Sequence, residues 1–324
     1  MGRVAQMAVV AAVLAALPMA LEQLFARSFP VHRSGAIFLT GVSTGIGRHA
    51  AVELAKSGFT VYGTVRKESD AAAIRALGVE NLEPIICDVT DSAAITGAVA
   101  TVAAALGGEK LVALVNNAGI SKDLPFEIQP LASVRQVFDV NYFGALDVTQ
   151  QFLPLLRAAG PGARIVNIGS LAGWISMPGT VAYSGTKHAM EAFSDALRLE
   201  LLPAEISVSL IKPAYVVTEI GSKAAAAINT DEAKTADPEG HYSDFIEAET
   251  ARLAKVFKLA PGPEVTTEGI VHAVTSPQPR TRYFMGTAGA LPGWYVARLK
   301  WLLPDRAWDL VLLYADAIDA LLGV

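Results

Sequence analysis

Along the middle of the chain, short runs of apolar residues alternate with stretches in which apolar residues recur every three or four positions. The runs Ala36–Thr40, Thr60–Val65, Leu82–Cys87, Leu111–Val115, Arg164–Ile168, Ser207–Ile211 and Arg282–Met285 have the length of buried strands. Between them the period lengthens, as at Met190, Phe193, Leu197 and Leu201, which share one face of a helix. Strands separated by helices are joined by right-handed crossovers. The pattern therefore predicts an α/β fold, a single Rossmann-type doubly wound parallel sheet of about seven strands flanked by helices. Ligands of such a sheet bind beyond the carboxyl ends of its strands, so the chemistry belongs in the segments after each strand. Residues 221–248 break the alternation. They are polar and loop-like, with Asn229-Thr230-Asp231-Glu232 and Pro238-Glu239-Gly240, and read as a lid or specificity insert.

The two ends differ from the middle and from each other. From Val4 to Leu21 the chain is apolar except for Gln6, which predicts an apolar N-terminal helix interrupted by Pro18. A membrane anchor, a targeting segment introduced by Arg3 and later cleaved, and a helix packed on the domain all fit this run. Residues 291–324 interleave Trp294, Trp301, Trp308 and Leu310 with Arg298, Lys300, Asp305 and Asp309. That is too charged to span lipid and predicts amphipathic C-terminal helices broken at Pro304. Packing on the domain, attachment to a membrane surface and closure over a pocket are their possible roles. The chain thus divides into an apolar segment (1–34), a dinucleotide-binding catalytic domain (35–290) and an amphipathic extension (291–324).

Composition narrows the function. With 52% hydrophobic and 18% charged residues, the 324-residue chain is globular rather than disordered. A net charge of −5 with no basic stripe argues against nucleic acid as a partner. The single cysteine, Cys87, excludes an intramolecular disulfide, and no histidine pair has ligand spacing, so no metal site is expected.

Candidate chemistry follows the strands. The first runs into Gly41-Val42-Ser43-Thr44-Gly45-Ile46-Gly47 and then a helical pattern, an arrangement that lets backbone N–H groups approach a pyrophosphate at a helix N-terminus. At the end of the second strand Val65 occupies the position where an acid would bond a ribose 2′-hydroxyl. Arg66 and Lys67 follow, and a guanidinium suits a 2′-phosphate, so NADP(H) is favoured over NAD(H). Asp88, after the third strand, is placed to accept from an adenine amino group, while the run Asp88-Val89-Thr90-Asp91 equally suits a helix N-cap. Tyr183 and Lys187, four apart at the start of a helical pattern, project from one face. An ammonium there is expected to lower the phenol pKa and make Tyr183 a general acid/base. Ser170 lies just beyond the fifth strand, and Asn141 is a polar residue in an apolar helical stretch that needs hydrogen-bond partners or holds a water.

Together these residues resemble the short-chain dehydrogenase/reductase family over about residues 35–286. The match is carried by Thr40-Gly41-x-x-x-Gly45-Ile46-Gly47, Asp88-Val89, Asn116-Asn117-Ala118-Gly119, Asn141, Ser170, Tyr183-x-x-x-Lys187, and Lys212-Pro213 followed by Thr218. Ala214 replaces a common glycine, and Thr44 stands where many NADP-dependent members carry a second basic residue. The resemblance implies that Tyr183 exchanges a proton with the substrate oxygen and that Ser170 hydrogen-bonds that oxygen. It implies that Lys187 contacts the nicotinamide ribose and tunes Tyr183, and that Asn141 positions a water. Gly41, Ser43, Thr44, Gly45, Ile46, Gly47, Arg66, Asp88, Val89, Asn117, Ala118, Gly119, Pro213 and Thr218 would line the cofactor. The segment Ala196–Pro203 and the long tail look most like the hydroxysteroid and retinol dehydrogenase branch. This implies a hydrophobic alcohol or ketone as substrate, pairing as a homodimer, and membrane association inside the cell through the N-terminal segment, with a soluble cytoplasmic protein as the alternative. A dehydrogenase of small hydroxy acids, and a non-catalytic dinucleotide sensor or scaffold, are the competing functions.

Overall fold

The computed structural model of the protein describes residues 21, 24–219, 235–288 and 291–313. Seven parallel strands build the sheet: β1 (Ala36–Leu39), β2 (Thr60–Val65), β3 (Leu82–Ile86), β4 (Leu111–Asn116), β5 (Arg164–Ile168), β6 (Ser207–Pro213) and β7 (Arg282–Met285). Their order is β3-β2-β1-β4-β5-β6-β7. The winding reverses between β1 and β4, and a crevice opens there at the carboxyl ends. Every residue of β1, β4, β5 and β6 is buried. Strands covered on both faces need no polar alternation, which is why they read as continuous apolar runs.

The described helices are α1 (Gly45–Lys56), α2 (Glu68–Arg75), α3 (Ser92–Ala105), α4 (Leu131–Phe138), α5 (Gly144–Ala159), α6 (Val181–Glu200), α7 (Ser243–Leu259), α8 (Glu264–Thr275), α9 (Gly293–Leu302) and α10 (Asp305–Leu313). One face of the sheet is covered by α1 and α8 through Ala51, Leu54, Ile270 and Ala273. The other is covered by α3, α5 and α6 through Ile95, Phe152, Leu156 and Leu197. Phe152 of α5 stacks on Phe38 of β1 with ring centroids 3.9 Å apart. Two cores, one per face, hold the sheet rigid and leave its carboxyl edge free for a site.

Two expectations change. The stretch 221–248 is not wholly loop-like, because its end already belongs to α7, whose Leu253 is buried. Acidic and basic residues on most faces of α7 hide its period in the sequence. Residues 220–234 lie outside the described residues, as does the apolar run Val4–Leu21 except for Leu21. Among the described residues, no helix is long and apolar enough to cross a membrane. At the other end, α9 and α10 pack on the domain, with Pro304 between them. Ala297 and Trp308 are buried in a third apolar cluster with Leu171, Trp174, Ile175 and Met177, which lie just after β5. The C-terminal extension therefore roofs one side of the crevice.

Candidate active site

The turn after β1 is shaped by glycines and pinned by two polar side chains, Thr40 and Asn117. Strand β1 stops at Leu39, and the Thr40 hydroxyl accepts hydrogen bonds from the backbone N–H groups of Asn117 and Ala118, both at 2.9 Å. The Asn117 amide returns two bonds, to the carbonyls of Thr40 (2.9 Å) and Gly41 (3.0 Å). These bonds fasten the end of β4 to the turn. Gly41 and Gly45 have φ of 74° and 57°, a region closed to most side chains. At Gly47 the constraint is space: a Cβ would stand 2.1 Å from the Gly41 carbonyl oxygen and 2.4 Å from Asn117 Nδ2. Ala118 also crowds Gly41, where a Cβ would stand 2.9 Å from the Ala118 Cα. Ser43, Thr44, Gly45 and Ile46 remain partly exposed at the N-terminus of α1, whose unpaired N–H groups and dipole favour an anion. Thr218, beyond β6, packs across Gly45 and closes the far side. This cradle, which a single Cβ would fill, fits a pyrophosphate.

The neighbouring strand ends continue it. Val65 is buried, and Arg66 and Lys67 stand exposed directly after it. Asp88 Oδ1 accepts from Thr90 N at 2.9 Å and Thr90 Oγ1 at 2.8 Å. The cap of α3 is Asp91, which accepts from Ala93 N and Ala94 N. The run Asp88–Asp91 thus supplies the helix cap, through Asp91 rather than Asp88, and Val89 packs against Gly144 to hold its loop on α5.

Three side chains converge at the end of β5. Ser170 opens a short 3₁₀ turn, Leu171–Gly173, accepting from Ala172 N at 3.1 Å, and its hydroxyl lies near enough to the Tyr183 phenol to favour the ionised form. The Pro213 carbonyl lies 3.4 Å from the same hydroxyl. Tyr183 and Lys187 sit one turn apart on α6. The Lys187 ammonium is 5.5 Å from the Tyr183 ring centre and donates to the Ile168 carbonyl at 2.8 Å. Burial pushes the Tyr183 phenol up to about 12, the Ser170 hydrogen bond opposes that rise, and the charge of Asp123 adds to it. Burial also pushes the Lys187 ammonium down to about 8. The expected lowering of the phenol is thus reversed. The ammonium is spent on a carbonyl rather than the hydroxyl, and desolvation of both groups outweighs their attraction.

Asn141 lies in a π-turn, Asp139–Phe143, between α4 and α5. Its Oδ1 accepts from Ile120 N at 2.7 Å, and its Nδ2 donates to Ile120 O (2.9 Å) and Thr186 Oγ1 (3.2 Å). Both amide hydrogens are committed to protein groups, so the side chain is a brace between the loop after β4 and α6.

Sequence reasoning missed a second support. Lys212, fully buried at the end of β6, forms an ion pair with Glu191 of α6 and lies 3.9 Å from the Trp174 ring centre. Arg282 of β7 bonds Glu191 at 2.9 Å and Asp195 at 2.6 Å. This network holds the turn that carries Ser170 against α6. Its sequence signal is faint: Glu191 stands four residues after Lys187 and so shares its face. Asp123, in the loop after β4, was also passed over. It is partly buried, its Oδ1 is fully so, its charge raises the Tyr183 pKa, and nothing in its local sequence marks it.

Comparison with known proteins agrees with this geometry. The family model for short chain dehydrogenase matches residues 35–229. The chain is 31% identical over 281 residues to an NADPH-dependent 3-dehydrocapnine reductase of Ornithobacterium rhinotracheale, covering 86% of this chain and 95% of that protein. It is 34% identical over 256 residues to retinol dehydrogenase 16 of Mus musculus, covering 77% and 80%. The crystal structure of a short-chain dehydrogenase from Streptomyces avermitilis superposes with a TM-score of 0.67 at 28% identity, covering 89% of this chain and 98% of that one. With a nucleotide cradle, a serine, a tyrosine and a lysine at one sheet edge, the chain belongs to the short-chain dehydrogenase/reductase family and is an NAD(P)-dependent oxidoreductase of the alcohol–carbonyl class.

Proposed function

We propose that the protein interconverts a hydroxyl and a carbonyl on a hydrophobic substrate, with NADP(H) as cofactor and Tyr183 as acid/base. The observation that carries this reading is the convergence of Ser170, Tyr183 and Lys187 at the carboxyl end of β5, with the Lys187 ammonium 5.5 Å from the Tyr183 ring centre and bound to the Ile168 carbonyl. A sensor or scaffold needs no positioned proton donor. When bound, the nicotinamide supplies or accepts the hydride. The substrate oxygen takes two hydrogen bonds, from Ser170 and from Tyr183, and Tyr183 passes its proton to that oxygen as charge develops. Lys187 compensates the charge left on the phenolate. Asn141 keeps α6 and the loop after β4 in register. Gly41, Ser43, Thr44, Gly45, Ile46, Gly47, Asp88, Val89, Asn117, Ala118, Gly119, Pro213 and Thr218 hold the dinucleotide.

Buried Val65 followed by exposed Arg66 supports the choice of NADP(H). Replacing Arg66 by alanine is expected to weaken NADPH binding by about tenfold to a hundredfold, the scale of one or two charge-assisted hydrogen bonds, and to leave NADH nearly unchanged. Fluorescence titration with both nucleotides measures it, and equal losses would remove Arg66 from the role.

A hydrophobic substrate is supported by the lining of the roof, where Leu171, Trp174, Ile175 and Met177 meet α9 and α10. Small hydroxy acids fit less well. Arg252, the cation on the inner side of α7, is held by both oxygens of Glu249 at 2.7 and 2.6 Å and is not free to take a carboxylate. Exposed Leu131, Phe143 and Leu199 on and between α4 and α6 support pairing of two copies through these helices. Apolar Val4–Leu21 supports membrane attachment inside the cell. Deleting residues 1–27 is then expected to move the protein from the membrane to the soluble fraction. Full-length protein already in the soluble fraction would reject the anchor.

A further inference from the structure

Lys212 is a wholly buried cation near the carboxyl end of β6, and the chemistry described so far does not use it. Its ammonium forms an ion pair with Glu191 and lies 3.9 Å from the Trp174 ring centre. The ring centre of Phe284, its register partner on β7, is 5.0 Å away. The two rings stand edge to face, 5.4 Å apart. One carboxylate and two aromatic rings thus replace the water that a lysine ordinarily keeps around its charge. The neighbours of Lys212 belong to different parts of the site. Glu191 stands one turn beyond Lys187 on α6. Trp174 ends the turn that Ser170 begins. Along β6, Lys212 is flanked by Ile211, whose carbonyl accepts from Gly169 N at 2.8 Å, and Pro213, whose carbonyl lies 3.4 Å from the Ser170 hydroxyl. The turn meets α6 with no slack, since a Cβ on Gly173 would stand 2.7 Å from the Lys187 carbonyl oxygen.

Resting on the catalytic reading above, we propose that Lys212 is a positioning residue for the reaction, fixing Ser170 relative to Tyr183 by drawing Trp174 and Glu191 onto one charge. The two hydroxyls come from different elements, Ser170 from the turn after β5 and Tyr183 from α6. A substrate oxygen needs both within hydrogen-bond reach at once, and a misplacement of about 1 Å costs about a hundredfold in rate. Apolar packing alone does not set that distance. The cluster above the turn packs Trp174 with Leu171, Ile175 and the helices α9 and α10, but such contacts are non-directional. A desolvated ammonium supplies a direction, because its attraction to a carboxylate and to an aromatic face depends on where each of them stands. Lys212 reaches Trp174 on one side and Glu191 on the other, so the turn and the helix share a single anchor. Arg282 keeps Glu191 from turning away, bonding it at 2.9 Å and Asp195 at 2.6 Å. Buried as it is, Lys212 acts on the reaction only through these neighbours. An apolar side chain of similar length would fill its space and hold neither of them.

The test follows oxidation of decan-2-ol by the full-length protein with NADP⁺, read by the absorbance of the NADPH formed. The alcohol loses a hydride to the nicotinamide and a proton to Tyr183 and becomes decan-2-one. Lys212→Met alone would strand Glu191 in the interior, and removing one partner of a buried pair is strongly destabilising. The double variant Lys212→Met/Glu191→Gln removes both charges and leaves Arg282 a group to bind. It is expected to lower kcat about tenfold while KM and NADP⁺ affinity stay within about twofold, which also shows that the variant is folded. In a Ser170→Ala background the same two changes should cost less than about twofold, because no hydroxyl is left to misplace. A merely structural role predicts the same proportional loss in both backgrounds, and that result overturns the proposal. An unchanged kcat in the double variant overturns it too, as does a loss that falls on KM or on NADP⁺ affinity. Turnover of decan-2-ol that survives Tyr183→Phe overturns the catalytic reading instead, and failure to oxidise decan-2-ol overturns both.

Discussion

Changing Tyr183 to phenylalanine is expected to lower turnover by a hundredfold to ten-thousandfold while leaving dinucleotide affinity within about twofold, the usual scale for loss of a positioned general acid. The substitution removes one oxygen and keeps the ring over Lys187, whose ammonium is anchored separately on the Ile168 carbonyl. Ser170 keeps its bond from Ala172 N, so the oxygen-binding half of the site survives. The loss falls on proton transfer and should appear in kcat more than in KM. The pH profile gives an independent readout. In the reducing direction the phenol must hold its proton and Lys187 must be charged. With the phenol up at about 12 and Lys187 down at about 8, both conditions hold at neutrality. As pH rises through about 8 Lys187 loses its proton first, so the reduction rate should fall there while the phenol remains protonated. Unchanged turnover in the phenylalanine variant would end the acid/base assignment. A rate that holds steady to about pH 10 would end the role of Lys187.

The same pair of residues shows where sequence reasoning reaches its limit. Spacing along a helix fixes which side chains are neighbours, and it correctly put Tyr183 beside Lys187 and Ser170 within reach. It gives the sign of a Coulomb interaction but not the desolvation that opposes it, because burial depends on segments far away in the chain. Roofing of the site by α9, α10 and the turn after β5 could not be read from Tyr183-x-x-x-Lys187. The strands were legible to within a residue or two because buried parallel strands leave unbroken apolar runs. At its edges the pattern failed for local reasons. Thr40 leaves β1 because its hydroxyl is needed by Asn117 and Ala118, and β6 runs on to Pro213, which pairs with Met285 in register. Helix α7 was hidden because its charges ring most of its surface. Asp123 escaped notice because its only sequence mark is a single acid in a polar loop. Its unpartnered Oδ1 shows only in three dimensions.

Gly47→Ala should cost about a hundredfold in affinity for the dinucleotide, measured by quenching of tryptophan fluorescence, and should lower thermal stability as well. Gly47 does not need an unusual φ, so the whole effect is steric. The new Cβ would lie 2.1 Å from a backbone carbonyl oxygen and 2.4 Å from Asn117 Nδ2. Neither atom can move alone. The Gly41 carbonyl is part of the turn that presents N–H groups to the phosphates, and the Asn117 amide ties that turn to β4 through Thr40 and Gly41. Relief must come from shifting α1 away from β1, which breaks the cradle. Overpacking of this kind costs about 1–3 kcal/mol, and 3 kcal/mol corresponds to about a hundredfold in binding. Gly97, in the middle of α3, supplies the contrast. A Cβ there meets nothing within 4 Å, and its φ lies outside the left-handed region. Gly97→Ala should therefore leave affinity unchanged and raise stability by about 0.4–1 kcal/mol, since alanine loses less backbone freedom on folding. If the two substitutions affect binding equally, the turn after β1 is not a cradle whose shape depends on the missing side chain, and the assignment of the dinucleotide to it is wrong.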